Sequence, residues 1–99
     1  MDRILQSISL ATKAGMSVSG EWAVEKALKD GKALLVIISE DASDNTKKHF
    51  NDMCTYRNVP IRYYSNMNDL GHCMGRSFRT SVGILDRGFA EKLLTALGR

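Results

Sequence analysis

Apolar residues along this chain recur in two rhythms, one suited to helices and one to strands. Between residues 3 and 14, Ile4, Leu5, Ile8 and Ala11 fall on one helical face, and Gly15 closes the segment. The run GEWAVEKALKDG predicts a second helix over residues 20–30, with Ala23, Val24, Ala27 and Leu28 inward and Gly31 at its end. Residues 33–39 (ALLVIIS) are a continuous apolar run, too short for a typical helix and rich in Val and Ile. They read as a buried central strand.

Asp41 and Ser43 offer caps for a third helix that turns Phe50, Met53 and Cys54 inward, keeps Arg57 at its edge and ends before Asn58. Pro60 breaks the chain, residues 61–64 form a short strand, and Ser65 or Asn66 caps a fourth helix built on Met67, Leu70 and Met74. Residues 80–85 (TSVGIL) read as another strand. Asp86 then caps a last helix that buries Phe89, Leu93, Leu94 and Leu97. Alternating helices and strands on so short a chain predict an α/β fold, a small central sheet with helices on both faces. Gly83, inside a strand, marks a place where something approaches the backbone closely.

Composition narrows the class. The 99 residues suit one core, and no linker, repeat or low-complexity tract divides them, so a single domain over 1–99 is expected. With 43% hydrophobic and 25% charged residues the chain reads as globular, and no stretch approaches the roughly 20 apolar residues of a membrane helix. The first 16 residues do not read as a signal peptide, so a cytoplasmic location is expected, with Cys54 and Cys73 as free thiols. A net charge of +3 favours a polyanionic partner only if the bases gather on one surface.

Two segments gather them. At about 100° per residue, Trp22 lies about 160° from Val24, on the outer face of the second helix. Lys26 and Lys29 follow it on the same stripe, with Lys32 just beyond. Lysines neutralise phosphates and an indole stacks on an unpaired base, so the stripe suits RNA. The alternatives are a solvated lysine face with Trp22 packed on a neighbouring element, or a protein-interaction module anchored by an exposed Trp22. Gly20 adds a helix N-terminus with free N–H groups and little steric bulk, and Glu21 stands beside it. The second segment is GRSFRTS, residues 75–81, where Arg76, Ser77 and Arg79 can contact phosphate or base. Its bland alternative is an ordinary connection with Phe78 turned into the core.

Catalytic and metal patterns are poor. His49 with Cys54 and His72 with Cys73 lack repeated ligand spacing, and the acids Glu40, Asp41 and Asp44 are explained by helix capping. There is no phosphate-cradling glycine loop of either common type. The expectation is a monomer without enzymatic activity, cofactor or metal, that binds RNA, with ribosomal RNA a candidate, and no membrane.

The segments SGEWAVEKALKDGKALLVIISEDAS, NVPI, DLGHCMGR and DRGFAEKL together resemble the kink-turn-binding ribosomal protein family, of the L-seven-Ae and L-thirty-e type, and most closely its small bacterial YlxQ-like branch. The resemblance spans nearly the whole chain. It implies a three-layer α-β-α sandwich with a four-stranded mixed sheet, and recognition of a sharply bent RNA with tandem sheared G·A pairs. In the family that recognition uses the start of the second helix and the loop before the last strand, which correspond here to residues 20–26 and 75–81. Where the archaeal motif reads G-T-N-E-V-T-K, Gly20 and Lys26 match, whereas Trp22 and Ala23 replace the base-contacting Asn and Glu. Neither replacement reproduces their pattern of donors and acceptors.

Overall fold

The computed structural model describes residues 1–98. In chain order the elements are α1 (Arg3–Lys13), β1 (Ser17–Ser19), α2 (Glu21–Lys29), β2 (Leu35–Ile38), α3 (Asp44–Arg57), β3 (Ile61–Tyr63), α4 (Met67–Cys73), β4 (Ser81–Ile84) and α5 (Arg87–Leu97). The sheet order is β1-β4-β2-β3. Strand β2 runs parallel to β3 and antiparallel to β4, and β4 pairs antiparallel with β1, so the sheet is mixed.

Strand alternation divides the interior into two cores. Leu35 and Ile37 of β2, with Val82 and Ile84 of β4, pack on Leu5, Ile8 and Ala11 of α1, Leu70 and Cys73 of α4 and Ala90 and Leu93 of α5. On the other face Val36 and Ile38 meet Val24, Ala27 and Leu28 of α2 and Phe50 and Cys54 of α3. The result is the three-layer sandwich with four strands. The two cysteines belong to opposite cores and remain free, each thiol pushed up to about 11, in both cases chiefly by burial.

The periodicity of the sequence missed one strand. Ser17–Ser19 has one apolar residue in three and is only half-buried, too short and polar to show an alternation. Its pairing with β4 makes it a strand: Ser17 lies opposite Ile84, Val18 opposite Gly83 and Ser19 opposite Val82. The close approach expected at Gly83 is present, since a Cβ there would stand 3.1 Å from Val18 Cγ2 and 3.8 Å from both methyls of Val24. The tight neighbour is therefore Val18 across the strand pair, with Val24 of α2 at ordinary contact distance.

Side-chain caps start four helices. Asp2, Ser43, Asn66 and Asp86 accept from backbone N–H groups of α1, α3, α4 and α5. Helix α2 begins at Gly20 with no side-chain cap. Asp2 also accepts from the Tyr64 hydroxyl at 2.7 Å, tying the start of α1 to the chain after β3.

A second glycine seats the loop between α4 and β4. Gly71, buried inside α4, lies directly under the Ser77 carbonyl, and a Cβ would collide with that backbone. Its own carbonyl accepts from Arg76 N at 2.8 Å, and Arg79 N donates to Met67 O at 3.1 Å.

Gly71→Ala gains helix propensity yet forces the 75–79 backbone away, so it should lower stability by roughly 1–3 kcal/mol in urea titration. The Leu5 N–H holds the Asp2 carboxyl below its usual value; burial opposes it, and the Tyr64 hydroxyl adds to the lowering. A depressed folded-state pKa stabilises above the unfolded value of about 3.9 and is lost as pH falls through the folded one. Asp2→Ala should therefore cost about 1 kcal/mol near neutral pH, a difference from wild type that shrinks in acid.

Candidate nucleic-acid interface

The uncapped start of α2 and the 75–80 loop are neighbours because β1 and β4 are paired. Gly20 has φ +93°, a conformation open to glycine, and its N–H donates to Ser81 O at 3.0 Å. This bond stitches the first residue before α2 to the first residue of β4. The N–H groups of Glu21, Trp22 and Ala23 then point out of the helix with no capping side chain.

Arg79 completes the junction. Its Nε donates to Ser19 Oγ at 3.0 Å and its Nη1 to Phe78 O at 2.7 Å, which fixes the guanidinium between β1 and the loop. Arg76, Arg79, Ser19 and Ala23 line one hollow with Val18. A second hollow, sharing Val18 and Ala23, is lined by Trp22, Lys26 and Lys32. Lys29 continues this surface alongside Trp22, Glu25 and Lys26. Five of the eight sequence candidates, Trp22, Lys26, Lys29, Arg76 and Arg79, line these hollows. Gly20 and Glu21 line none of them but open α2 next to Trp22, and Ser77 is exposed on the loop with its carbonyl turned onto Gly71.

The cations differ in what already holds them. Lys26 Nζ donates to Asp30 at 2.9 Å, an exposed i,i+4 pair whose hydrogen bond and charge keep the Asp30 carboxyl below its usual value. Among the described residues the Arg76 side chain has no hydrogen-bond or ion-pair partner, so its guanidinium is available outright. Trp22 is 75% exposed, which rules out packing on a neighbouring element. Phe78 is 60% exposed and is not turned into the core, because its backbone is pinned over Gly71. The surface thus presents the Trp22 ring among its cations, with Phe78 exposed on the adjoining loop.

Acidic groups border it. Glu21 opens α2, and Glu25 lies 3.2 Å from His49 Nε2 on α3. Sequence reasoning did not find Ser19 or Gly71, the residues that hold Arg79 and seat the loop. Gly71 had a signal, since a glycine inside a helix costs about 1 kcal/mol against alanine and calls for a packing reason. Ser19 had none, because its partner is 60 residues away.

Comparisons with known proteins agree with this architecture. A profile of the ribosomal protein L7Ae/L30e/S12e/Gadd45 family matches residues 2–94. The chain is 40% identical over 90 residues to the RNA-binding protein YlxQ of Bacillus subtilis strain 168, covering 91% of this chain and 90% of that one. It is 37% identical over 93 residues to the large ribosomal subunit protein eL30 of Trypanosoma brucei brucei, covering 92% and 89%. A solved structure of a protein of unknown function from Bacillus halodurans C superposes with a TM-score of 0.95 at 33% identity over all of both chains. The chain belongs to the ribosomal protein L7Ae/L30e/S12e/Gadd45 family.

Proposed function

We propose that this chain is a non-catalytic RNA-binding domain spanning residues 1–99, ribosome-associated and cytoplasmic, that holds structured RNA on the surface between α2 and the 75–80 loop. The observation that carries this reading is the Arg79–Ser19 hydrogen bond. It joins two cationic segments, each suited to phosphate on its own, into one surface with an uncapped helix N-terminus at its centre. The RNA-binding relative and the ribosomal relative support the same partner class.

Roles divide by chemistry. Arg76, Lys26 and Lys29 neutralise phosphates, Arg79 orients the loop and offers its remaining donors, and the first-turn N–H groups beside Gly20 and Glu21 receive a phosphate or a base edge. Ser77 offers a hydroxyl at the outer edge of the loop. Trp22 stacks on an unpaired base. Because Trp22 and Ala23 stand where the archaeal motif has Asn and Glu, shape and charge carry more of the recognition here than hydrogen bonds to G·A pairs.

Binding should weaken as salt rises, with a log-log slope of about 0.9 per phosphate neutralised. Arg76→Ala should lose more affinity than Lys26→Ala, since Lys26 already spends part of its charge on Asp30, and each should reduce the salt slope by about 1 or less. Unchanged affinity in both variants overturns the mapping. Titration against a kink-turn and a version lacking its G·A pairs measures how much specificity these residues retain; equal affinity means that shape and charge alone are read. The exposure of Trp22 also fits a protein-interaction module. Pull-down after nuclease treatment separates the two: partners that persist and depend on Trp22 favour the module, and loss of all association favours RNA.

A further inference from the structure

Helices α2 and α3 cross where Glu21 and Glu25, one turn apart on α2, face His49 on α3. One ligand atom from each of these three side chains lies within 4.8 Å of the other two. His49 Nε2 is shielded from solvent and lies 3.2 Å from Glu25 Oε1, a contact of opposite-charge type with no hydrogen bond. The ring stands edge-on to Phe50, with centroids 5.1 Å apart. An imidazole nitrogen shielded from solvent and gathered with two carboxylates is arranged to share a cation with them.

We propose that Glu21, Glu25 and His49 form a binding site for a divalent first-row transition ion of the zinc type. Two carboxylate oxygens and one imidazole nitrogen are the mixed donors that zinc accepts, and its fourth position stays open to water. Ligand atoms about 2.1 Å from a tetrahedral ion stand roughly 3.4 Å apart. Closing from the observed spacing requires rotation of the two glutamate side chains about flexible bonds and leaves the backbone where it is. Glu21 is exposed and Glu25 and His49 half-exposed, so an ion can enter. Magnesium fits poorly, because it keeps its waters and prefers oxygen in octahedral geometry. The sequence pairs His49 with Cys54, but Cys54 is turned into the core with its thiol proton held, and the fold supplies the carboxylates of α2 in its place.

The test is calorimetric titration of the purified protein with zinc chloride, paired with imidazole proton signals in NMR, which are readable because the chain has only two histidines. The expected result is saturable one-to-one binding that shifts the His49 signals and leaves those of His72 in place. His49→Ala should weaken binding at least tenfold, and Glu21→Gln, at an exposed position that the fold does not need, several-fold. His72→Ala should leave it unchanged, and magnesium in tenfold excess should not displace the ion. Absence of saturable zinc binding, equal binding by His49→Ala and Glu21→Gln, or loss of binding in His72→Ala overturns the proposal.

Discussion

The pairing of β4 on both of its edges is the constraint on which the rest of this structure depends. β4 is hydrogen-bonded to β1 on one side and β2 on the other, and all four of its residues are buried. Both faces of the sheet use it: Val82 and Ile84 enter the α1-α4-α5 side, and Gly83 faces Val18 and Val24 on the other. A strand held in this way has one register, because a slip of one residue would exchange its two faces. That register sets Ser19 opposite Val82 and carries the preceding loop to the start of α2.

Rigid elements therefore aim a loop whose own sequence has little structural preference. The 75–80 loop leaves α4 through Gly75 at φ +73°, rests on Gly71 and is clamped to β1 by Arg79. With its backbone committed in this way, Phe78 and Arg76 are left facing solvent. A loop ordered in advance loses little conformational entropy on meeting a partner, which favours binding without any added contact. Helix α2 contributes differently. Four of the five helices close their first turn with a side chain, and α2 keeps its N–H groups open beside the cations.

The α2 surface is electrically mixed. Lys26 leans on Asp30, and Glu25 is drawn toward His49 on α3. The exposed Lys26–Asp30 pair adds little stability, so it remains free to exchange partners when a phosphate arrives. The free guanidinium of Arg76, with no internal partner among the described residues, lines the hollow beside the held guanidinium of Arg79.

Most of the fold was legible from the sequence. Helices longer than two turns display their buried face as a period, and the apolar runs of β2 and β4 display burial on both sides, so eight of the nine elements follow from local pattern and capping residues. Strand β1 does not, because its conformation comes from its partner. The α2 stripe of Trp22, Lys26 and Lys29 was legible for the same reason as the helix, and the exposure of Trp22 follows from its angle to Val24. What only the tertiary structure decided were contacts between residues far apart in the chain: Arg79 on Ser19, the loop on Gly71, Phe78 outward and His49 against Glu25. Local sequence sets which face a side chain occupies. Which other face it meets depends on strand order and register, and these arise only when the two cores close around β4.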